Sequence, residues 1–154
     1  MANAPNQRVE LVRRLFREVF EGGRLEVADE ILTPDFTFQY PFPGFPPGAE
    51  GIKEFVRTFH SAFPKFEVEI NDLFGDGDGV AIRWTLRGEH KGDLLGIPPS
   101  NRYVTFSAIG VYRPPDGPEG QLASGWLEMD TLGLLQQLGA VAPTNQLLPG
   151  VKKY

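Results

Sequence analysis

The sequence predicts an α+β domain: helices first, then a strongly curved antiparallel sheet wrapped around about three of them, enclosing a deep apolar pocket. Two observations carry this. Up to Phe63 apolar residues recur mostly at helical spacing, and after Pro64 the period changes to alternation. No internal repeat and no linker divides the chain, so residues 1–154 read as one domain, with a core of about 8–139 and a tail from Ala140.

Each element has its own signal. "NQRVELVRRLFREVFEGG" places Val9, Val12, Phe16, Val19 and Phe20 on one helical face, and Gly22-Gly23 stops it. "LEVADEIL" is a short second helix ended by Thr33-Pro34. Phe36, Phe38 and Tyr40 alternate as a short strand, and the following "PFPGFPPG" holds too much proline to be regular. "AEGIKEFVRTFHSAF" is the third helix, with Ile52, Phe55, Val56, Phe59 and Phe63 on its apolar face. Then come "FEVEINDLF", the turn "GDGDG", "VAIRWTLRGEH", the long strand "RYVTFSAIGVYR", the turn "PPDGPEG" and "QLASGWLEMD". "TLGLLQQLG" closes the pattern as a short helix. A sheet of four to six strands has two faces, and the helices cover one. The other is expected to meet a partner subunit, giving a homodimer or homotetramer.

Composition removes several function classes. The 154 residues carry a net charge of −5 and contain no cysteine, which excludes disulfides, zinc-thiolate sites and a thiol nucleophile. No dense Lys/Arg run points to nucleic acid or to an anionic membrane. "MANAPNQRVE" has no apolar signal-peptide region and no apolar run spans a bilayer, so a cytoplasmic location is expected. With two histidines, a multi-histidine metal site within one chain is excluded. The Asp76/Asp78 pair begins like a calcium loop but lacks its closing glutamate, and a strand, not a helix, follows Gly75 and Gly77. No metal and no cofactor is expected. Twelve phenylalanines against two tryptophans and four tyrosines supply walls for an apolar cavity.

What remains is general acid–base chemistry. Asp130 ends the last strand on the side of Trp126 and Glu128 by alternation. Among aromatic rings its carboxyl would lose hydration and its pKa would rise toward neutrality, which suits proton transfer. Alternatively Asp130 caps the helix that starts at Thr131, unless Thr131 caps instead. His90 shares a strand face with Trp84 and Leu86 and can polarise a carbonyl or relay a proton; the other reading is a surface histidine at a strand end. His60 flanks the apolar stripe of the third helix, while Arg83 and Arg87 face away from Trp84.

"GIKEFVRTFHSAFP", "GEHKGDLLGIPPSNRYVTF" and "DTLGLLQQLG", in this order, resemble the SnoaL-like polyketide cyclases, or ester cyclases, of the nuclear transport factor 2-like superfamily. The resemblance runs from about Val9 to Gly139. It implies a cone-shaped sheet around helices. It also implies a cofactor-free intramolecular aldol closure, with Asp130 as acid–base residue and His90 as the pocket histidine. It makes Gly92–Asn101, stiffened by Pro98-Pro99, the rim of the pocket. Tyr40, Phe59, His60, Trp84, Ile97, Phe106 and Trp126 are the expected substrate-binding residues, and a small apolar, polyketide-like molecule is the expected partner. The chain departs from many relatives in having Gln39-Tyr40 after the first strand, Ser124-Gly125 before Trp126, and Pro-Ser-Asn-Arg at residues 99–102. The thinner polar set leaves a second reading, a binding protein without turnover. An epoxide hydrolase fits less well, because that chemistry uses an Arg-x-Asp pair and the chain has none.

Overall fold

The structure, a computed structural model, describes residues 4–116 and 120–152. The chain runs α1 (Ala4–Arg14), a π-helical continuation (Leu15–Glu21), α2 (Leu25–Ile31), β1 (Leu32–Gln39), α3 (Ala49–Ala62), β2 (Phe66–Gly75), β3 (Val80–Glu89), β4 (Tyr103–Arg113), β5 (Leu122–Met129), α4 (Thr131–Gln137) and the single turn α5 (Thr144–Leu147). This is the predicted α+β order. Of the expected turn at residues 114–120, residues 117–119 lie outside the described residues.

The five strands form one sheet in the order β1-β5-β4-β3-β2. β2 to β5 make the expected antiparallel meander, but β1 pairs parallel with β5. The chain leaves β1 through the proline-rich segment and α3, a crossover long enough for a later strand to run in the same direction beside it.

One face of the sheet is packed and one is wet, as alternation along β4 shows. Val104, Phe106, Ala108 and Tyr112 are buried, whereas Thr105, Ser107 and Ile109 are exposed. The inner side chains meet Val12, Phe16 and Val19 from the first helix, Ile31 from α2, and Ile52, Phe55 and Phe59 from α3 in one apolar core. On the outer face Arg83 pairs with Asp72 at 2.6 Å and Arg87 with Glu69 at 2.7 Å.

The first helix differs from the plain α-helix that spacing predicts. Its apolar residues come in adjacent pairs, Leu11/Val12, Leu15/Phe16 and Val19/Phe20, repeating every four residues. An α-helix rotates such a pattern steadily away from the core. The wider π turn returns Leu15, Phe16, Val19 and Phe20 to it, and all four are buried. The turn closes with the Gly22 N–H on the Arg17 carbonyl, five residues back.

The edge strand β2 is blunted by the same helix. The Val68 N–H donates to Glu21 Oε2 and Arg17 Nη1 donates to the Val68 carbonyl, both at 2.6 Å, so an ion-paired couple occupies edge groups that would otherwise template another strand. At the other end the Gln137 side-chain amide continues the ladder past β5. Its Oε1 accepts from the Thr105 N–H at 2.9 Å and its Nε2 donates to the Thr105 carbonyl at 2.8 Å. Among the described residues no helix is long and apolar enough to cross a membrane.

Candidate functional site

Between the inner sheet face and the helices lies a cavity of about 30 Å³. Its walls are Leu15, Phe16, Val19 and Phe20 of the π segment, Ile52, Phe55 and Val56 of α3, and Phe38, Trp84, Tyr112 and Leu127 from four strands. The buried residues of the π segment are thus all wall residues. The rings form a continuous lining: Phe16–Trp84 centroids are 5.4 Å apart, Phe20–Trp84 5.3 Å, Phe16–Tyr112 6.2 Å and Phe38–Tyr112 5.9 Å.

Two glycines make room for these rings. A Cβ at Gly125, between Phe38 on β1 and Tyr112 on β4, would sit 2.8 Å from the Phe38 ring and 2.9 Å from the Tyr112 ring. A Cβ at Gly110 would come within 3.0 Å of Tyr112. Tyr112 therefore lies folded over bare backbone, where an ordinary inward side chain would stand.

The polar content of this interior is small. Trp84 is 1% exposed and its Nε1 has no hydrogen-bond partner among the described residues. Burial pushes the Tyr112 phenol up, with Tyr40 nearby adding to it, and burial alone pushes the Tyr40 phenol up. Both phenols are therefore neutral at ordinary pH and able to donate as well as accept a hydrogen bond. No carboxylate and no imidazole is among the walls. Among the described residues no group of three or more His, Asp or Glu side chains could hold a metal ion.

The residues expected to form the site do not all meet here. Trp84 does. Phe59 and Phe106 are buried in the core beside it, Phe106 at 6.1 Å from Trp84, without facing the cavity. Tyr40 lines a separate surface groove of about 570 Å³ between β1 and the proline-rich strap (residues 40–48), and its hydroxyl is buried without a partner among the described residues. His60 lines a different surface groove, and its Nε2 lies 2.6 Å from the Phe20 carbonyl at the π-helix end, donating to it.

Three expectations require correction. Asp130 is exposed, not enclosed by aromatic rings: its Oδ1 accepts from the Gly133 N–H at 2.9 Å, capping α4. Thr131 does not take over, since its hydroxyl reaches back to the Met129 carbonyl. Alternation did place Asp130 on the side of Trp126 and Glu128, but that side is the outer one. Trp126 is 52% exposed and its Nε1 donates to Glu128 at 2.7 Å.

His90 is fully buried, yet it lies one residue past the end of β3, six residues beyond Trp84, at most roughly 20 Å of extended chain away. There its Nδ1 accepts from the Ser100 N–H at 3.0 Å, its ring packs on Phe63, and its Nε2 has no partner. Burial pushes its pKa down, partly offset by the Gly92 backbone and the Asp93 carboxylate.

The loop it braces is not a rim of the cavity. The Lys91 and Gly92 N–H groups both donate to the Ala62 carbonyl at 3.0 Å, tying the loop to the end of α3. Leu94 and Ile97 exchange backbone hydrogen bonds around Leu95-Gly96, and Leu94 is core while Ile97 is half-buried on the loop.

Sequence reasoning missed Phe38 and Tyr112 as cavity residues. The available signal was the pairing of bulky inward positions with glycine on the next strand.

Comparison with known proteins agrees with this architecture. The profile of the SnoaL-like polyketide cyclase domain matches residues 10–138. The nogalonic acid methyl ester cyclase of Streptomyces nogalater is 29% identical over 132 residues, 82% of this chain and 94% of that one. A protein from Jannaschia Sp. CCS1, assigned as a SnoaL-like polyketide cyclase, superposes with a TM-score of 0.80 at 27% identity, covering 93% of this chain and 98% of its own. TsrD from Streptomyces laurentii superposes with a TM-score of 0.77 at 31% identity, covering 92% and 99%. A profile spanning most of the chain and a shared curved-sheet fold lead to one assignment: the chain belongs to the SnoaL-like polyketide cyclase family.

Proposed function

We propose that the protein holds an apolar, aromatic, carbonyl-bearing molecule of polyketide type inside the cone. The observation that carries this is a ring-walled interior whose polar groups can donate: a buried indole N–H without a partner among the described residues, and the protonated Tyr112 phenol. Such groups match carbonyl oxygens, and leaving the indole unpaired without a ligand is unfavourable by about 1–3 kcal/mol.

Family membership points to ring closure as the reaction, cofactor-free and of aldol type. In that reaction the walls would keep the chain folded so that its reacting carbons meet. The indole and phenol would stabilise the oxygen on which negative charge develops. No wall residue is a carboxylate or an imidazole, and Asp130, which is exposed, and His90, one residue past the end of β3, both lie outside the walls. That observation favours a second reading, binding without turnover on the same fold.

The two readings share one experiment. Trp126→Phe leaves Trp84 as the only indole. Its fluorescence is titrated with nogalonic acid methyl ester, the compound named for the S. nogalater relative, while product is followed by chromatography. Quenching with ring closure supports the cyclase, and quenching alone supports the carrier. No quenching by this ester or by a panel of hydroxyanthraquinones refutes both.

A further inference from the structure

A cavity of about 30 Å³ has space for roughly two waters, whereas sites for drug-sized ligands measure about 300–1,000 Å³. If the interior binds an aromatic molecule, as the proposed function holds, a wall has to move. We propose that this wall is Phe38, and that its ring is a gate between the interior and the groove under the proline-rich strap.

Phe38 is the one residue shared by the cavity and the grooves on either side of it. One groove, about 570 Å³, runs between β1 and the strap from Pro34 to Gly48; the other, about 560 Å³, lies over Gln39, Ser124 and Trp126. The other ten cavity walls border neither groove. Phe38 is half-buried, whereas its wall partners Phe16, Phe20, Phe55, Trp84 and Tyr112 are buried.

Its support lies at an edge of the sheet. β1 is an edge strand, and its register with β5 is irregular between Leu32 and Thr37. It ends one residue after Phe38, at the strap. The strap is held mainly by ring contacts, Tyr40–Phe45 at 4.7 Å, Phe45–Phe55 at 5.4 Å and Phe42–Phe55 at 6.0 Å, with the Gly48 carbonyl at its end accepting from the Gly51 N–H at 3.1 Å. Gly48, at φ +76°, brings its end back against the Pro34 carbonyl, where a Cβ would stand 2.7 Å away, so strap and β1 enclose the groove.

The gate also positions what it admits. The Phe38 and Tyr112 rings stack at 5.9 Å with 23° between planes, over the empty Cβ site of Gly125. A planar molecule entering edge-first takes the place of Phe38 against Tyr112. It then reaches the indole of Trp84 deeper in.

The test needs no ligand, so its failure is separable from failure of the functional reading. In the Trp126→Phe background, acrylamide quenching of Trp84 is compared among the parent, Phe38→Ala and the milder Phe38→Leu, with circular dichroism confirming the fold. Opening the gate should raise the quenching constant several-fold, toward that of N-acetyltryptophanamide, in Phe38→Ala and by less in Phe38→Leu. Asp130→Ala, which removes a helix cap away from the cavity walls, should leave it at the parent value. Parent-like quenching in folded Phe38→Ala and Phe38→Leu overturns the gate, and so does an equal rise in Asp130→Ala. A rise confined to the Phe38 variants establishes the gate even if no aromatic ligand is found.

Discussion

Replacing Asp130 separates a cap from a catalyst. Its Oδ1 accepts from the Gly133 N–H at 2.9 Å and its own carbonyl accepts from the Leu134 N–H, so it begins a helix of only seven residues. Asp130→Ala removes one N-cap, worth about 1 kcal/mol. For a domain of this size that lowers Tm by roughly 2–4 °C. Asp130→Asn keeps the acceptor and should melt within a degree or so of the parent.

Gly133 sharpens the measurement, because a Cβ there would fall on the Asp130 carboxylate. Gly133→Ala gains about 1 kcal/mol of helix propensity but displaces the cap, so alone it should be nearly neutral. In the Asp130→Ala background the same change should stabilise by about 1 kcal/mol, and that non-additivity is the signature of the contact. Melting by circular dichroism reads all four variants, and turnover of the ester above is followed in parallel. Loss of an acid–base residue lowers turnover by about 10²–10⁴. An exposed cap predicts parent-like turnover, if there is any, in folded Asp130→Asn. Additive melting shifts, or a folded Asn variant without activity, would refute the assignment of Asp130 as a cap alone.

Two further outcomes follow from burial and from the outer face. His90 is neutral and buried, and its folded pKa lies below the unfolded value of about 6.5. The unfolded chain therefore binds the proton first. The stability His90 contributes is complete above pH about 6.5 and is lost as pH falls toward the depressed folded pKa. Urea titrations between pH 7.5 and 5 should show stability falling in the parent and a flatter profile in His90→Asn, whereas identical slopes would remove His90 from the account. On the outer sheet face Trp126 and Ile109 are each about half exposed, at 52% and 51%, and we propose that this face pairs with a second copy. Light scattering at micromolar concentration should give twice 17.1 kDa or a multiple of that, and Trp126→Arg should shift it toward the monomer; a monomeric parent refutes the pairing.

The helices-then-meander architecture was legible because burial imposes a period. Ile52, Phe55, Val56 and Phe59 on α3 are buried as their spacing requires, and so are Ile82, Trp84 and Leu86 on β3. The site was less legible because a period assigns residues to a side without saying which side is inner. Trp126, Glu128 and Asp130 do share a side. The clue to its exposure was Glu128, since an unpaired carboxylate is costly to bury and Leu127 between them is the natural inward residue. His90 failed differently. Its burial follows from sharing a face with Trp84 and Leu86, but a shared face says nothing of distance along a strand. The π turn had a faint trace, the four-residue repeat of apolar pairs, which short windows read as ordinary helix. Parallel pairing of β1 with β5 had none, because a crossover leaves no local pattern.

The interior is filled by the protein's own rings, and this bears on how a ligand would be selected. Tyr112 lies over Gly110, and Phe38 closes over Gly125, so two strands give up side-chain volume that two aromatic residues then occupy. A dry, permanently open chamber of several hundred cubic ångströms would forfeit packing throughout the core. Collapse onto mobile rings avoids that loss, and admission becomes an exchange of one stacked ring for another. Such an exchange costs least for a planar aromatic ligand that can replace Phe38 against Tyr112, and more for an aliphatic chain that leaves the ring face unpaired. The indole N–H and the phenol can each donate to a carbonyl placed beside Trp84, and no carboxylate stands among the walls to pair with a cation. For the site proposed above, shape, stacking and the two groups able to donate favour a flat, oxygenated aromatic molecule.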